Sequence, residues 1–242
     1  VLTSTGAGSP PAFENAAGGG PTFKTFGTNS IMVGDDATGT INAANNNTAL
    51  GVDVFASLTS GDNNVAIGYQ ALDSNTTGSN NSAVGSGALG ANTSGDYNTA
   101  MGLEVLNKNT TGASNSAFGR ETMFRNTTGG YNTAVGMNAL NSNTTANSNS
   151  ALGFEAMRTN TTGTANVAVG RESLRSSTTA SNNTAVGNSA LYANTTGAYN
   201  TAVGDNALAA NTTGSYNTAF GQVALKSCTT GNYNSSFGRN SF

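Results

Sequence analysis

Glycine returns every 17 residues along this chain, at Gly51, Gly68, Gly85, Gly102, Gly119, Gly136, Gly153, Gly170, Gly187, Gly204, Gly221 and Gly238, with no insertion or deletion. No other property of the sequence restricts the fold as strongly. A period held this strictly means that each copy meets the next in the same geometry. The chain is then a stack of one supersecondary unit, and the one or two ordinary domains that 242 residues would suggest are set aside.

The positions around that glycine behave as rows. Asparagine stands four places before it in every copy from Asn47 to Asn234, as at Asn64, Asn81 and Asn132. Two places before it is alanine, as at Ala134, except for Ser236. The place just before it is large and apolar, as in Val135, Ile67, Met101 and Phe118. Three places after it the residue is usually small, such as Ala139, and four places after it is large again, as in Phe55, Met123, Leu140 and Phe242. The rest of each copy is Asn-Thr-Thr-Gly or a close variant, as at Asn75–Gly78 and Asn211–Gly214.

This pattern predicts two short strands per coil, each a small residue followed by a large one, joined by a brief bend and a longer polar turn. Neighbours on a strand face opposite sides, so the large rows are expected to share one face and the alanines the other. A helical pair is excluded by the poor helix propensity of Thr-, Asn- and Gly-rich segments. The fold class is therefore all-β: a parallel β-solenoid (β-roll or β-helix) of 17-residue coils. In such a stack the Asn and Thr rows hydrogen-bond along the axis, and glycine serves bends and close approaches. One coil holds too little apolar surface to stand by itself. A continuous alanine face would let another chain come close, which predicts a homo-oligomer, specifically a trimeric fibre.

Three segments follow. Residues 1–29 hold all three prolines (Pro10, Pro11, Pro21) and the run Gly18–Gly20, and read as a linker or attachment segment in which Val1–Thr5 forms a short strand. Residues 30–46 read as a degenerate N-terminal capping coil: Ile31-Met32-Val33-Gly34 lies one period before Gly51, but Thr38 stands where later coils are large and apolar. Residues 47–242 form the shaft. The chain opens without Met and stops at Phe242 part-way through a repeat, which reads as a processed or partial product.

Charged residues are only 9% of the chain and the net charge is −3, so no basic footprint for nucleic acid exists. The absence of histidine removes imidazole acid–base chemistry and His metal ligands. The single cysteine, Cys228, has no internal disulfide partner. No apolar run approaches the roughly 20 residues that span a bilayer. The expectation is a non-enzymatic protein with no cofactor, no bound metal, no nucleic-acid partner and no membrane insertion.

Several side-chain groups nevertheless invite a functional reading. The pairs Thr76/Thr77, Thr110/Thr111 and Thr212/Thr213 suggest an ice-binding array, but adjacent threonines beside a glycine fit turn capping better. Asn-Thr-Thr at Asn75, Asn109, Asn126, Asn143, Asn160, Asn194 and Asn211 matches the N-glycosylation acceptor pattern, though one copied turn explains it equally. Tyr199, Tyr216 and Tyr233 share one row in successive coils, with Tyr97 and Tyr131 earlier in it, and are candidate contacts for a cell-surface glycan. Ladder stacking is their competing role. Glu104/Glu121 and Glu155/Glu172 are like-charge neighbours that suit a solvated surface better than paired acids, and Asp35-Asp36 lacks the calcium-binding β-roll pattern.

Asn-Thr-Ala-Val-Gly…Ala-Leu…Asn-Thr-Thr-Gly resembles the repeats of bacteriophage and phage-derived tail fibres, and Val1–Gly6 with Pro10–Phe13 resembles the segment that precedes them. The Ser/Thr-Ala-Val/Ile-Gly strand is also similar to the left-handed parallel β-roll in the heads of trimeric autotransporter adhesins. The resemblance covers residues 30–242 and implies a trimeric, elongated, extracellular fibre, a virion appendage or cell-surface structure used in attachment. The alternative expectation is a bacterial surface adhesin or the subunit of a self-assembling extracellular filament.

Overall fold

The computed structural model describes residues 2–3, 12–13, 22–24, 30–34 and 44–241. Asp35-Asp36, Thr38 and Phe242 lie outside the described residues. All described structure is strand, turn or bend, with no helix. Strands β1 (Leu2–Thr3) and β2 (Ala12–Phe13) form an antiparallel pair of their own. Strand β3 (Thr22–Lys24) occupies one edge of the main sheet and lies antiparallel against β4 (Ile31–Gly34). From β4 the sheet continues through β5 (Thr48–Gly51), and one strand per coil thereafter, to β16 (Ser235–Phe237). Every pairing in this run is parallel and displaced by one repeat, as in Thr133↔Ser150, Ala134↔Ala151 and Val135↔Leu152. The chain is a parallel β-solenoid of 17-residue coils.

Each coil contains one strand, where the row pattern predicts two. The stretch after the glycine is a run of turns. It alternates into the left-handed region: in one coil Asn138 has φ 59° and Leu140 φ 50°, after Gly136 at φ 129°. These turns still bond from coil to coil. The amide of Asn138 donates to the carbonyl of Arg120 in the coil before, and that of Leu140 to the carbonyl of Ala156 in the coil after, both at 3.0 Å. Amides aimed alternately up and down the axis let a bent segment form a ladder without being extended.

The core is also arranged differently from the expectation. Ala134 and Ala139 are fully buried together with Leu140, so the alanine rows line the interior and offer no face to another chain. The large row before the glycine points outward: Val135 is 40% exposed. A narrow coil explains the exchange. The row four places after the glycine fills the interior, leaving room for no more than a methyl from the strand opposite.

Polar rows complete the interior. Asn64, Asn81 and Asn132 are buried, and each hands its backbone amide to the side-chain carbonyl one coil earlier: Asn64 to Asn47 at 2.8 Å, Asn81 to Asn64 at 2.9 Å, Asn132 to Asn115 at 3.0 Å. Their side-chain amides donate to main-chain carbonyls of the next coil, Gly78, Gly95 and Ala146 respectively. A second ladder runs through the first Asn of the Asn-Thr-Thr turn, where Asn92 Nδ2 donates to Asn75 Oδ1 at 2.9 Å and Asn126 Nδ2 to Asn109 Oδ1 at 2.7 Å. A buried primary amide satisfied on both sides is what an interior this thin can hold in place of more hydrocarbon.

The repeating glycine is required by geometry twice over. At Gly136 the φ of +129° lies where side-chain-bearing residues rarely go, and a methyl there would sit 2.5 Å from the carbonyl oxygen of Gly153. Gly68 (φ +127°) and Gly102 (φ +133°) are in the same position, with a methyl 2.7 Å and 2.6 Å from the next coil's glycine oxygen. Gly85 has φ +132° and faces the carbonyl of Gly102 at the same place.

Candidate functional site

The strand turned inward through alanine must turn its two flanking residues outward. One of these is a small hydroxyl residue in most coils and the other is the large apolar row. Leu50, Met101, Val135, Leu152, Phe220 and Phe237 are exposed at 40–69%, and the remaining members are half-buried. The residue just after the glycine widens the strip in the early coils, through exposed Val52, Tyr69, Leu103, Met137 and Phe154. Parallel coils at about 4.8 Å spacing extend this strip over roughly 50 Å from β5 to β16. Contiguous exposed apolar surface on that scale marks an interaction site in a folded protein. Along the strip the rings of Phe220 and Phe237 stack at 5.6 Å.

The tyrosine row lies apart from this strip. Tyr199, Tyr216 and Tyr233 stack with ring centroids 5.0 Å apart and planes within 5–6° of parallel. Stacking uses the ring faces between neighbours, so the ladder presents ring edges and hydroxyls to solvent. All five tyrosines of the row sit in left-handed backbone, φ 58–60°.

Three of the four glutamates of the acidic pairs, Glu121, Glu155 and Glu172, are held by arginines. Glu155 Oε2 accepts from Arg175 Nε at 2.6 Å, Arg158 lies 3.5 Å from its other oxygen, and Glu172 meets Arg171 at 3.3 Å. The hydrogen bond to Glu155 is the main reason the Arg175 guanidinium titrates above its ordinary range. Glu121 bonds Arg120 at 2.7 Å. Around Gly87 and Gly90, where one coil carries no side chain at two positions, a polar notch of about 220 Å³ opens between Gln70, Asp73, Asn107 and Lys108. Burial, and then the charge of Asp53, push the Asp73 carboxyl above its ordinary pKa.

The turn threonines cap carbonyls: the hydroxyls of Thr76, Thr110 and Thr212 donate to Thr93, Thr127 and Thr229 of the next coil at 2.9–3.0 Å. Their partners Thr77, Thr111 and Thr213 are exposed, so the two members of each pair do not share a face. The sequons fare differently. Asn75, Asn109, Asn126, Asn143, Asn160, Asn194 and Asn211 are 0% exposed, which closes them to glycosylation in the folded coil. Cys228 is a half-buried free thiol. Among the described residues no group of three His, Cys, Asp or Glu side chains is placed to hold a metal ion, and no helix is long and apolar enough to cross a membrane.

The outward apolar strip departs from the expectation that the two large rows share one face and the alanines the other. One signal was available: the row mixes Val, Ile, Leu, Met and Phe freely, a tolerance of shape that a single-chain core seldom shows. No family model, no curated protein and no solved structure matches this chain.

Proposed function

We propose that the protein is a structural fibre shaft whose outward apolar strip is covered by further copies of the same chain, three around a common axis, and that the assembled rod serves attachment to a host or surface outside the cell. One observation carries the reading. A regular solenoid, held internally by its Asn ladders, leaves a line of large apolar side chains exposed or half-buried in every coil from β5 to β16. A straight strip is matched by another straight strip. Parallel copies in register provide one, because each coil then meets its own equivalent. The resemblance of the Asn-Thr-Ala-Val-Gly repeat to tail-fibre and adhesin repeats supports the extracellular, adhesive role.

Sedimentation equilibrium of the purified chain tests the assembly. The expected mass is three chains, and electron microscopy is expected to show discrete rods of one length. Replacing Val135 and Val169 together with Asp is expected to yield monomers that keep the β signature in circular dichroism. A wild-type chain that sediments as a folded monomer refutes the reading.

A further inference from the structure

We infer that the tyrosine row contains a slot for one pyranose ring, between Tyr97 and Tyr131 over Ser114. The proposal deepens the attachment reading by naming a ligand class and a place for it. Successive tyrosines in this row stack at 5.0 Å, as Tyr199, Tyr216 and Tyr233 show. Tyr97 and Tyr131 hold the same row with the same backbone, φ 58° and 59°, but Ser114 (φ 59°) stands in the coil between them. The sequence thus reads Tyr-Ser-Tyr where the later coils read Tyr-Tyr-Tyr. The two rings are two coils apart, about 10 Å at the spacing of parallel strands. A ring placed on the vacant level would lie about 5 Å from each, inside the range of favourable ring stacking. The exposures agree: Tyr97 is 64% and Tyr131 72% exposed, against 48% for Tyr216 between its neighbours.

An independent feature of the main chain marks the same two coils. In the row six places before the glycine, the amide of most coils reaches for the side chain one coil further on, as Ser79 N–H donates to Asp96 Oδ1 at 2.7 Å, Gly130 N–H to Asn147 Oδ1 at 2.7 Å, and Ala198 N–H to Ser215 Oγ at 3.0 Å, whereas those of Asn147 and Ser181 stand as isolated exceptions. The amides of Asp96 and Ala113 find nothing, because the residues they face are Ala113 and Gly130. Among the described residues no other two successive coils leave this amide without an acceptor. These two N–H groups belong to the residues immediately before Tyr97 and Ser114, so a pair of parallel donors flanks the slot. Asp96 bonds to Ser79 through Oδ1 alone and can accept a hydroxyl through Oδ2.

Two apolar ring faces, two amide donors and a carboxylate acceptor describe a pyranose. Its C–H faces stack between the aromatic rings, its equatorial oxygens accept from the amides, and a hydroxyl donates to the carboxylate. A flat aromatic ligand would use the rings and leave the polar edge empty.

The test is saturation-transfer NMR on the full-length protein with methyl β-glucopyranoside, N-acetylglucosamine and N-acetylneuraminic acid, and with p-cresol as the aromatic probe. Binding of at least one pyranoside is expected. Ser114→Tyr restores the ladder that Tyr199, Tyr216 and Tyr233 already form, so it keeps the fold and fills the slot; affinity is expected to fall about tenfold or more. Tyr233→Ser, at the end of the continuous ladder, opens no gap between two rings and is expected to leave affinity unchanged. The proposal is overturned if no pyranoside binds, if Ser114→Tyr binds as tightly as wild type, or if p-cresol alone is bound. Fibres retained on host surfaces regardless of Ser114→Tyr would refute the slot and spare the attachment reading. Slot binding by fibres that no surface retains would refute attachment alone.

Discussion

The side-chain carbonyl of Asn160 faces Ser177 across one coil and finds no donor. The ladder that joins Asn75, Asn92, Asn109, Asn126, Asn143 and Asn160 stops there, because the serine hydroxyl is too short to reach; both Asn160 Oδ1 and Ser177 Oγ are buried without a partner. The same break recurs where Cys228 follows Asn211, whose Oδ1 is also orphaned. Ser177→Asn is expected to rejoin the ladder, supplying Asn160 with a donor and Asn194 with an acceptor. A buried orphan costs about 1–3 kcal/mol, so a gain of that order is expected in urea denaturation. An unchanged or lowered midpoint would refute the ladder account.

Leu140 and Val135 are both large and apolar, yet they should respond in opposite ways to a β-branch. Leu140 holds φ 50° inside the core, where a branched Cβ clashes with the backbone, while Val135 lies in a strand. Leu140→Ile conserves volume and is expected to cost about 1–3 kcal/mol from backbone strain. Val135→Ile is expected to be neutral within about 0.5 kcal/mol. Equal effects in a denaturation comparison would mean that the left-handed turn is not what selects the residue.

Val223 is the converse case. It is a β-branched residue at φ 64°, in a row where Asn206 and Asn240 adopt the same conformation comfortably. Val223→Asn is expected to stabilise the coil by about 1 kcal/mol. Hydrogen-exchange protection of the Leu225 amide is expected to rise with it, and a fall would contradict the assignment of strain to this residue.

Gly136→Ala is expected to be severe, because the methyl meets the Gly153 carbonyl and the φ is unsuitable. Its effect should be local, since coils interact only with their neighbours. Exchange measurements are expected to show loss of protection in the coils on either side of Gly136 and retention near β5 and β16. Uniform loss would argue that the stack is a single cooperative unit.

Asp73 sets a pH dependence. Its carboxyl is raised in the fold by burial and by Asp53, so the folded chain holds a proton that the unfolded chain has already released. Stability therefore falls as pH rises from the ordinary carboxylate value through the raised one, and the cost persists at neutral pH. Asp73→Asn is expected to raise the melting midpoint at pH 7 and to make little difference at pH values below the ordinary carboxylate range. A benefit that grows on acidification would reverse the sign.

The 17-residue coil, its parallel stacking and its all-β character were legible because glycine, asparagine and alanine recur without slippage. The orientation of the strand was not. Alternation tells which residues share a face but not which face is inside, and a small residue followed by a large one after the glycine suits a left-handed turn as well as a strand. The discriminating signal sits in Phe55, Leu72, Leu106, Met123 and Leu140: from Phe55 onward that row contains no Val, Ile or Thr, as left-handed backbone demands, whereas the row of Ile67, Val84 and Val135 takes β-branched residues readily. The slot beside Ser114 was harder to see, because it depends on what two rows lack in the same pair of coils. An absent acceptor at Ala113 and Gly130 means nothing until the direction of the amides is known.

Both asparagine ladders run the same way. In each, the amide nitrogen gives its hydrogen to the carbonyl oxygen of the lower-numbered coil, so every Oδ1 looks toward the higher-numbered end. Dipoles aligned head to tail add and polarise one another, as peptide units do in a helix. Each asparagine row is consequently a directed line of dipoles with its oxygens toward β16, set against the turn threonines, whose amides and hydroxyls donate toward the higher-numbered coil.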